Sequence, residues 1–145
     1  MMRVLLDTDI ILDYLLAREP FAQPAAEIWN AAENREFEPF VSAITPVNLY
    51  YVARKLKGDA EARIAVQGLL AICQIAITDR TVLQQALTLQ MKDYEDAVQV
   101  ASARAVSLDV IVTRNVSDYA DADIPILTPE QFLTQLAASK QQPDV

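Results

Sequence analysis

Two runs of bulky aliphatic residues, Val4-Leu5-Leu6 and Val110-Ile111-Val112, contain no polar position, and each is followed at once by polar residues. A strand with one wet face alternates apolar and polar side chains, so a strand without that alternation must be covered on both faces. The intervening chain reads mainly as helix. Thr8 or Asp9 caps a helix through Ile10, Ile11, Leu15 and Leu16, which Pro20 ends. A second helix, from about Pro24 to Asn34, puts Ala25, Ile28, Trp29 and Ala32 on one stripe, and Phe37 to Ile44 is the next strand candidate. Thr45-Pro46 reads as an N-cap and a helix-starting proline, so Val47 to Leu56 is helical until Lys57-Gly58 stops it. Asp59 to Cys73 repeats the helical period and Gln74 to Ile77 is a short strand. Asp79 to Met91 and Tyr94 to Ser107 are two more helices. Ile126-Leu127 is a last strand before Pro129 opens a terminal helix through Phe132, Leu133 and Leu136. Short apolar strands alternating with helices predict an α/β fold with a parallel sheet covered on both sides. At 145 residues the chain fits one domain, expected over residues 1–139 with a polar tail at 140–145.

Composition removes several chemistries. With two glycines, Gly58 and Gly68, there is no Gly-rich phosphate loop or dinucleotide fingerprint. With no histidine, the commonest general base, the Ser/His and Cys/His nucleophile systems and most zinc and haem sites are absent. Cys73 sits in the apolar run Leu69 to Ile77 and reads as a small buried hydrophobe; a single cysteine makes no internal disulfide, which fits a reducing compartment. Asp7, Asp9 and Asp13 interrupt the apolar opening before it resembles a secretory signal, and no stretch approaches the ~18 apolar residues of a membrane span. A cytoplasmic protein is expected. The net charge of −8 argues against a broad basic nucleic-acid surface but is compatible with bound cations, which invert the local potential.

What remains is carboxylate chemistry. In parallel sheets ligands gather beyond the carboxyl ends of the strands, and Asp7 sits at that end of the first strand. Taken alone, it reads equally as a helix cap. Asp9 and Asp13 read as a first-turn acid and a solvent-facing or supporting residue. Asp93 and Asp96, three apart, share one side of a helix start, where a capping box taken by itself explains them better than a metal site does. Thr113-Arg114-Asn115 and Asp118 follow the second buried run, where turn chemistry is the plain alternative. Converging carboxylates bind Mg²⁺ or Mn²⁺, whose water can be activated for attack, so hydrolysis without histidine is available.

Together, Val4-Leu5-Leu6-Asp7-Thr8-Asp9, Asp93-Tyr94-Glu95-Asp96-Ala97 and Val112-Thr113-Arg114-Asn115-Val116-Ser117-Asp118-Tyr119 resemble the PIN-domain family, including VapC-type toxins. The resemblance runs on through Arg18-Glu19-Pro20-Phe21 and Ile126 to Phe132 and covers nearly the whole chain. It implies a three-layer α/β/α sandwich with a mostly parallel sheet, Mg²⁺- or Mn²⁺-dependent endoribonuclease activity, RNA as substrate and an antitoxin protein as partner. It also implies site residues: Asp7, Asp96 and Asp118 as metal-binding and catalytic acids, Asp93 as an additional carboxylate, and Thr113 as a supporting hydroxyl. Two amides depart from the pattern. Asn48 stands where a glutamate often faces the metal, and Asn115 where many relatives have aspartate; both can offer an oxygen but no charge, which points to weaker metal affinity.

Arg54, Lys55, Lys57 and Arg63 form the densest basic patch and read equally as solvated helix-end cations, while Arg114 is tied to a strand end and is the better phosphate contact. Trp29, Tyr50 and Tyr51 read as core or subunit packing, with base stacking as the alternative use of an exposed tyrosine. The apolar faces around Leu49 to Val52 and Ala62 to Leu70 predict a homodimer. Two other functions compete with this one. One is a catalytically weak or inactive PIN-like interaction module, supported by Asn48 and Asn115. The other is a haloacid-dehalogenase-like phosphatase using Asp7-Thr8-Asp9, which the early position of Gly58-Asp59 fits poorly.

Overall fold

The computed structural model describes residues 1–119 and 122–140. Five parallel strands form one sheet in the order β3-β2-β1-β4-β5: β1 (Arg3–Leu6), β2 (Glu38–Ser42), β3 (Gln74–Ala76), β4 (Val110–Val112) and β5 (Ile126–Leu127). Seven α-helices are found among the described residues: α1 (Thr8–Leu15), α2 (Ala22–Glu33), α3 (Ile44–Lys57), α4 (Asp59–Ile72), α5 (Arg80–Ala86), α6 (Tyr94–Ala105) and α7 (Pro129–Lys140). A 3₁₀ turn, η1, spans Val116–Tyr119. The expected α/β/α sandwich is present.

Strand pleating sorts the core into two layers. Val4, Leu6, Val41, Val110 and Val112 belong to one apolar cluster with residues of α1, α2, α3, α4 and α7. Leu5, Phe40 and Ile111 belong to another with residues of α6 and with Tyr119. Neighbouring residues of one strand thus face opposite layers, which is why the two runs tolerate no polar side chain. Cys73 is buried, and burial pushes its thiol up to about 12, so it is packing material as expected.

The chain builds outward from β1 to β2 and β3, then returns to place β4 on the other side of β1. That reversal opens a crevice beyond the carboxyl ends of β1 and β4, where ligands of such sheets bind. Asp7 N–H donates to Val112 O at 3.0 Å, fixing these two strand ends side by side.

Several local expectations are corrected. Helix α3 begins at Ile44, ahead of Thr45-Pro46, because the buried Thr45 hydroxyl pairs with the Thr8 hydroxyl at 2.8 Å instead of capping. Pro46 then falls in the first turn, where its missing N–H has no intrahelical partner to lose. Helix α5 stops at Ala86, short of Met91: three successive N–H groups, from Leu87 to Leu89, bond back by three residues, and the Thr88 hydroxyl takes the Gln85 carbonyl at 2.7 Å. Lys140, placed in the tail by sequence, closes α7, and positions 141–145 lie outside the described residues.

Candidate metal centre

Asp7 occupies the joint between β1 and α1 with N-cap backbone angles (φ −61°, ψ 148°), yet its carboxylate makes no capping hydrogen bond. Both oxygens are engaged from elsewhere: Gln99 Nε2 donates to Oδ1 at 3.1 Å and Thr113 Oγ1 donates to Oδ2 at 2.7 Å. The cap alternative therefore holds for the backbone and fails for the side chain. At 5% exposure a carboxylate must collect donors. Burial raises its pKa, and the bonds from Thr113 and Gln99 pull it back.

Helix α6 delivers the second group. Asp93 is its N-cap, accepting the Asp96 backbone N–H on Oδ1 at 3.1 Å, so the capping alternative is realised there. The Asp96 carboxylate accepts the Tyr119 hydroxyl on Oδ1 at 3.1 Å. Its pKa is pushed up to about 6, first by desolvation and then by the charges of Asp7 and Asp93, with the Tyr119 bond acting against them.

The residues after β4 complete the wall. Thr113 Oγ1, besides holding Asp7, accepts the Asn115 N–H at 3.0 Å. Asn115 Nδ2 donates to Asp9 Oδ2 at 3.1 Å, and Asn48 Nδ2, from α3, donates to Glu95 Oε1 at 2.6 Å. Each amide, expected to stand in for a missing acid, uses its NH₂ to hold an acid that is present. Asp118 is exposed in η1.

Asp7, Asp9, Asp93, Glu95, Asp96 and Asp118 line one cleft of about 430 Å³ with Asn48, Asn115 and the exposed ring of Tyr51. Among the described residues no lysine or arginine lines this cleft, though Arg18 reaches its Asp9 at 3.8 Å. A neighbouring cleft of about 490 Å³ shares Asp93, Asp96 and Asp118 and adds Lys92 and Ser117. Glu95, which the sequence reading quoted within Asp93–Ala97 without giving it a role, is the acid it missed; desolvation, then repulsion from Asp93 and Asp7, raises its pKa. Gln99 and Tyr119 were also missed, although a glutamine inside Ala97-Val98-Gln99-Val100-Ala101 is a polar anomaly that the sequence displays.

Arg114 stands apart from the cleft. Its guanidinium donates to Asp13 at 2.9 and 3.3 Å and lies 4.1 Å from the Phe21 ring centre, on the wall of a separate small cavity. The phosphate contact expected of Arg114 is therefore not prepared in this arrangement. Asp13 is buried as the anchor of Arg114, with Arg18 at 3.9 Å. In the basic patch, Arg63 pairs with Asp59, and Arg54 lies 5.3 Å from the Tyr51 ring centre. Trp29 is core, stacked on Tyr14.

The donor set fits a hard divalent cation: oxygen ligands only, and an excess of negative charge with no cationic side chain among the lining. Among the described residues no three acids converge tightly enough to clasp one ion. That arrangement suits Mg²⁺, which keeps several waters and is usually bound through one or two carboxylates with substrate phosphates completing the sphere.

The family profile of the PIN domain matches residues 3–117. No curated protein matches the chain. Among solved structures, a toxin-antitoxin complex from Klebsiella pneumoniae is similar at 24% identity and TM-score 0.66, covering 87% of this chain and 97% of that one. VapBC2 from Rickettsia felis, bound to a promoter DNA fragment, matches at 15% identity and TM-score 0.67 over 88% and 98%. The Mycobacterium tuberculosis sarcin-ricin loop cleaving toxin VapC20 matches at 13% and 0.65 over 84% and 98%.

Proposed function

The chain belongs to the PIN-domain family, and on that premise we propose that it is a Mg²⁺- or Mn²⁺-dependent endoribonuclease, the toxin of a pair whose partner is a protein antitoxin. One observation carries this reading: six carboxylates line a single cleft at the sheet's crevice, and among the described residues the one lining acid that pairs with a cation is Asp9, 3.8 Å from Arg18. The antitoxin partner is inferred from the toxin-antitoxin complexes that share the fold. The phosphatase alternative falls away with the family match.

In this reading Asp7 and Asp96 would hold the cation directly and Asp118 through the waters that the ion keeps, with Glu95, Asp93 and the amide oxygen of Asn115 at its margin. A bound divalent ion supplies Lewis-acid stabilisation of the phosphate and a water of lowered pKa. The protein's own part is positional. Thr113 and Gln99 fix both oxygens of Asp7, Asn48 fixes Glu95, and Asn115 fixes Asp9. Asp96, held by the Tyr119 hydroxyl at 3.1 Å, would serve in its charged form as a ligand. Lys92, at the rim of the neighbouring cleft, is placed to meet RNA phosphate.

The test is cleavage of single-stranded RNA by purified protein with Mn²⁺ or Mg²⁺. The expected result is metal-stimulated cleavage that falls by at least about 100-fold in Asp7→Asn and Asp96→Asn. Protein inert with both metals across single-stranded substrates supports the alternative of an interaction module.

A further inference from the structure

We propose that Gln99 and Tyr119 are positioning residues that yoke Asp7 to Asp96 through a buried bridge, and that this bridge sets how tightly the centre holds its cation. The inference rests on the metal-centre reading above and adds to it two residues that touch no ion.

The bridge is continuous. Gln99 Nε2 donates both to Asp7 Oδ1 at 3.1 Å and to the Tyr119 hydroxyl at 2.8 Å, and that hydroxyl donates onward to Asp96 Oδ1 at 3.1 Å. It connects the end of β1, the middle of α6, η1 and the first turn of α6. Gln99 and Tyr119 are each 1% exposed, so no bulk water competes for these bonds.

The orientation of Gln99 shows what the bridge serves. Its Oε1 is buried without a hydrogen-bond partner among the described residues, an arrangement that cores normally avoid. Turning the amide over would set Oε1 against the Asp7 carboxylate, a contact between two acceptors. The amide therefore faces its NH₂ to Asp7 and Tyr119 at the expense of its own oxygen. A glutamine kept only for packing would have no reason to accept that orphan.

With Thr113 holding Oδ2, both oxygens of Asp7 are fixed, and Tyr119 restrains Asp96 from the opposite side. Two negative groups are thereby held in place before any cation arrives. Partners of this kind, one shell out from a metal, commonly change its affinity by about 10–100-fold when removed. The Tyr119 ring packs in the cluster of Leu5, Phe40 and Ile111, so phenylalanine there keeps the packing and removes only the hydroxyl.

The experiment is calorimetric titration of Mn²⁺ into wild type, Tyr119→Phe, Gln99→Met and the double variant at one pH, with near-UV circular dichroism confirming the fold. Each single variant is expected to bind Mn²⁺ about tenfold more weakly or worse. The double variant should bind no more weakly than the weaker single, because a bridge in series is broken only once. Wild-type affinity in the single variants, or losses that simply add, would overturn the bridge and leave the metal centre standing. Absence of Mn²⁺ binding by wild type would overturn the metal-centre reading and the bridge with it. If Gln99→Met does not fold, Tyr119→Phe decides alone: weakened binding supports the bridge, and unchanged binding refutes it.

Discussion

Asp96 is half-buried, faces the charges of Asp7 and Asp93, and has its pKa pushed up to about 6, while burial also raises Asp7 and Glu95. A group whose pKa is raised in the folded state binds its proton more tightly there than in the unfolded chain. Its contribution to stability is complete below the unfolded carboxylate range, about pH 4, and is lost as pH rises through about 6. The metal-free protein is therefore expected to lose part of its stability between pH 4 and 6.5. Denaturant melts across that window should show a shallower loss in Asp96→Asn, which has no proton to release. Saturating Mn²⁺ should reverse the trend, because metal binding requires the deprotonated acids and strengthens as pH rises. A slope identical in the variant would show that Asp96 does not carry the effect. At this scale the sequence was partly legible. Strand ends and helix starts drew notice to Asp7, Asp96 and Asp118, and the resemblance to PIN domains, not the spacing, gave them roles. Glu95, Gln99 and Tyr119 depend on which side chains meet across α3, α6 and η1, and local spacing does not contain that.

At the scale of elements, the two inner strands were readable because covering both faces demands uninterrupted apolar residues, and Arg3–Leu6 and Val110–Val112 fall where that argument put them. Helix limits were less readable, since they turn on tertiary partners: Thr8 diverts the Thr45 hydroxyl from capping, and consecutive short turns end α5 early. The two glycines sharpen the point. Gly58 joins α3 to α4 at φ 89°, ψ 172°, a region essentially closed to other residues, whereas Gly68 lies inside α4, exposed, with open space where a Cβ would go. Gly58→Ala is expected to destabilise by about 1–3 kcal/mol, and Gly68→Ala to stabilise by about 0.5–1 kcal/mol. Urea midpoints of the two variants check both signs. A neutral Gly58→Ala would mean that the α3–α4 joint relaxes to another conformation.

The whole molecule combines a strand order that opens a crevice between β1 and β4 with a surplus of negative charge that is concentrated there. A chain of net charge −8 repels a polyanion such as RNA, and a cleft lined by six acids repels it further. In the proposed function a divalent cation would resolve both difficulties, neutralising the cleft and supplying an electrophile to a chain without histidine. The account therefore stands on where the ion binds. Crystals soaked in Mn²⁺ and measured at a wavelength where manganese scatters anomalously test this directly. The predicted result is an anomalous peak in the cleft bonded to Asp7 and Asp96, and lost in Asp7→Asn. No peak there, or a peak that survives in Asp7→Asn, would contradict the account.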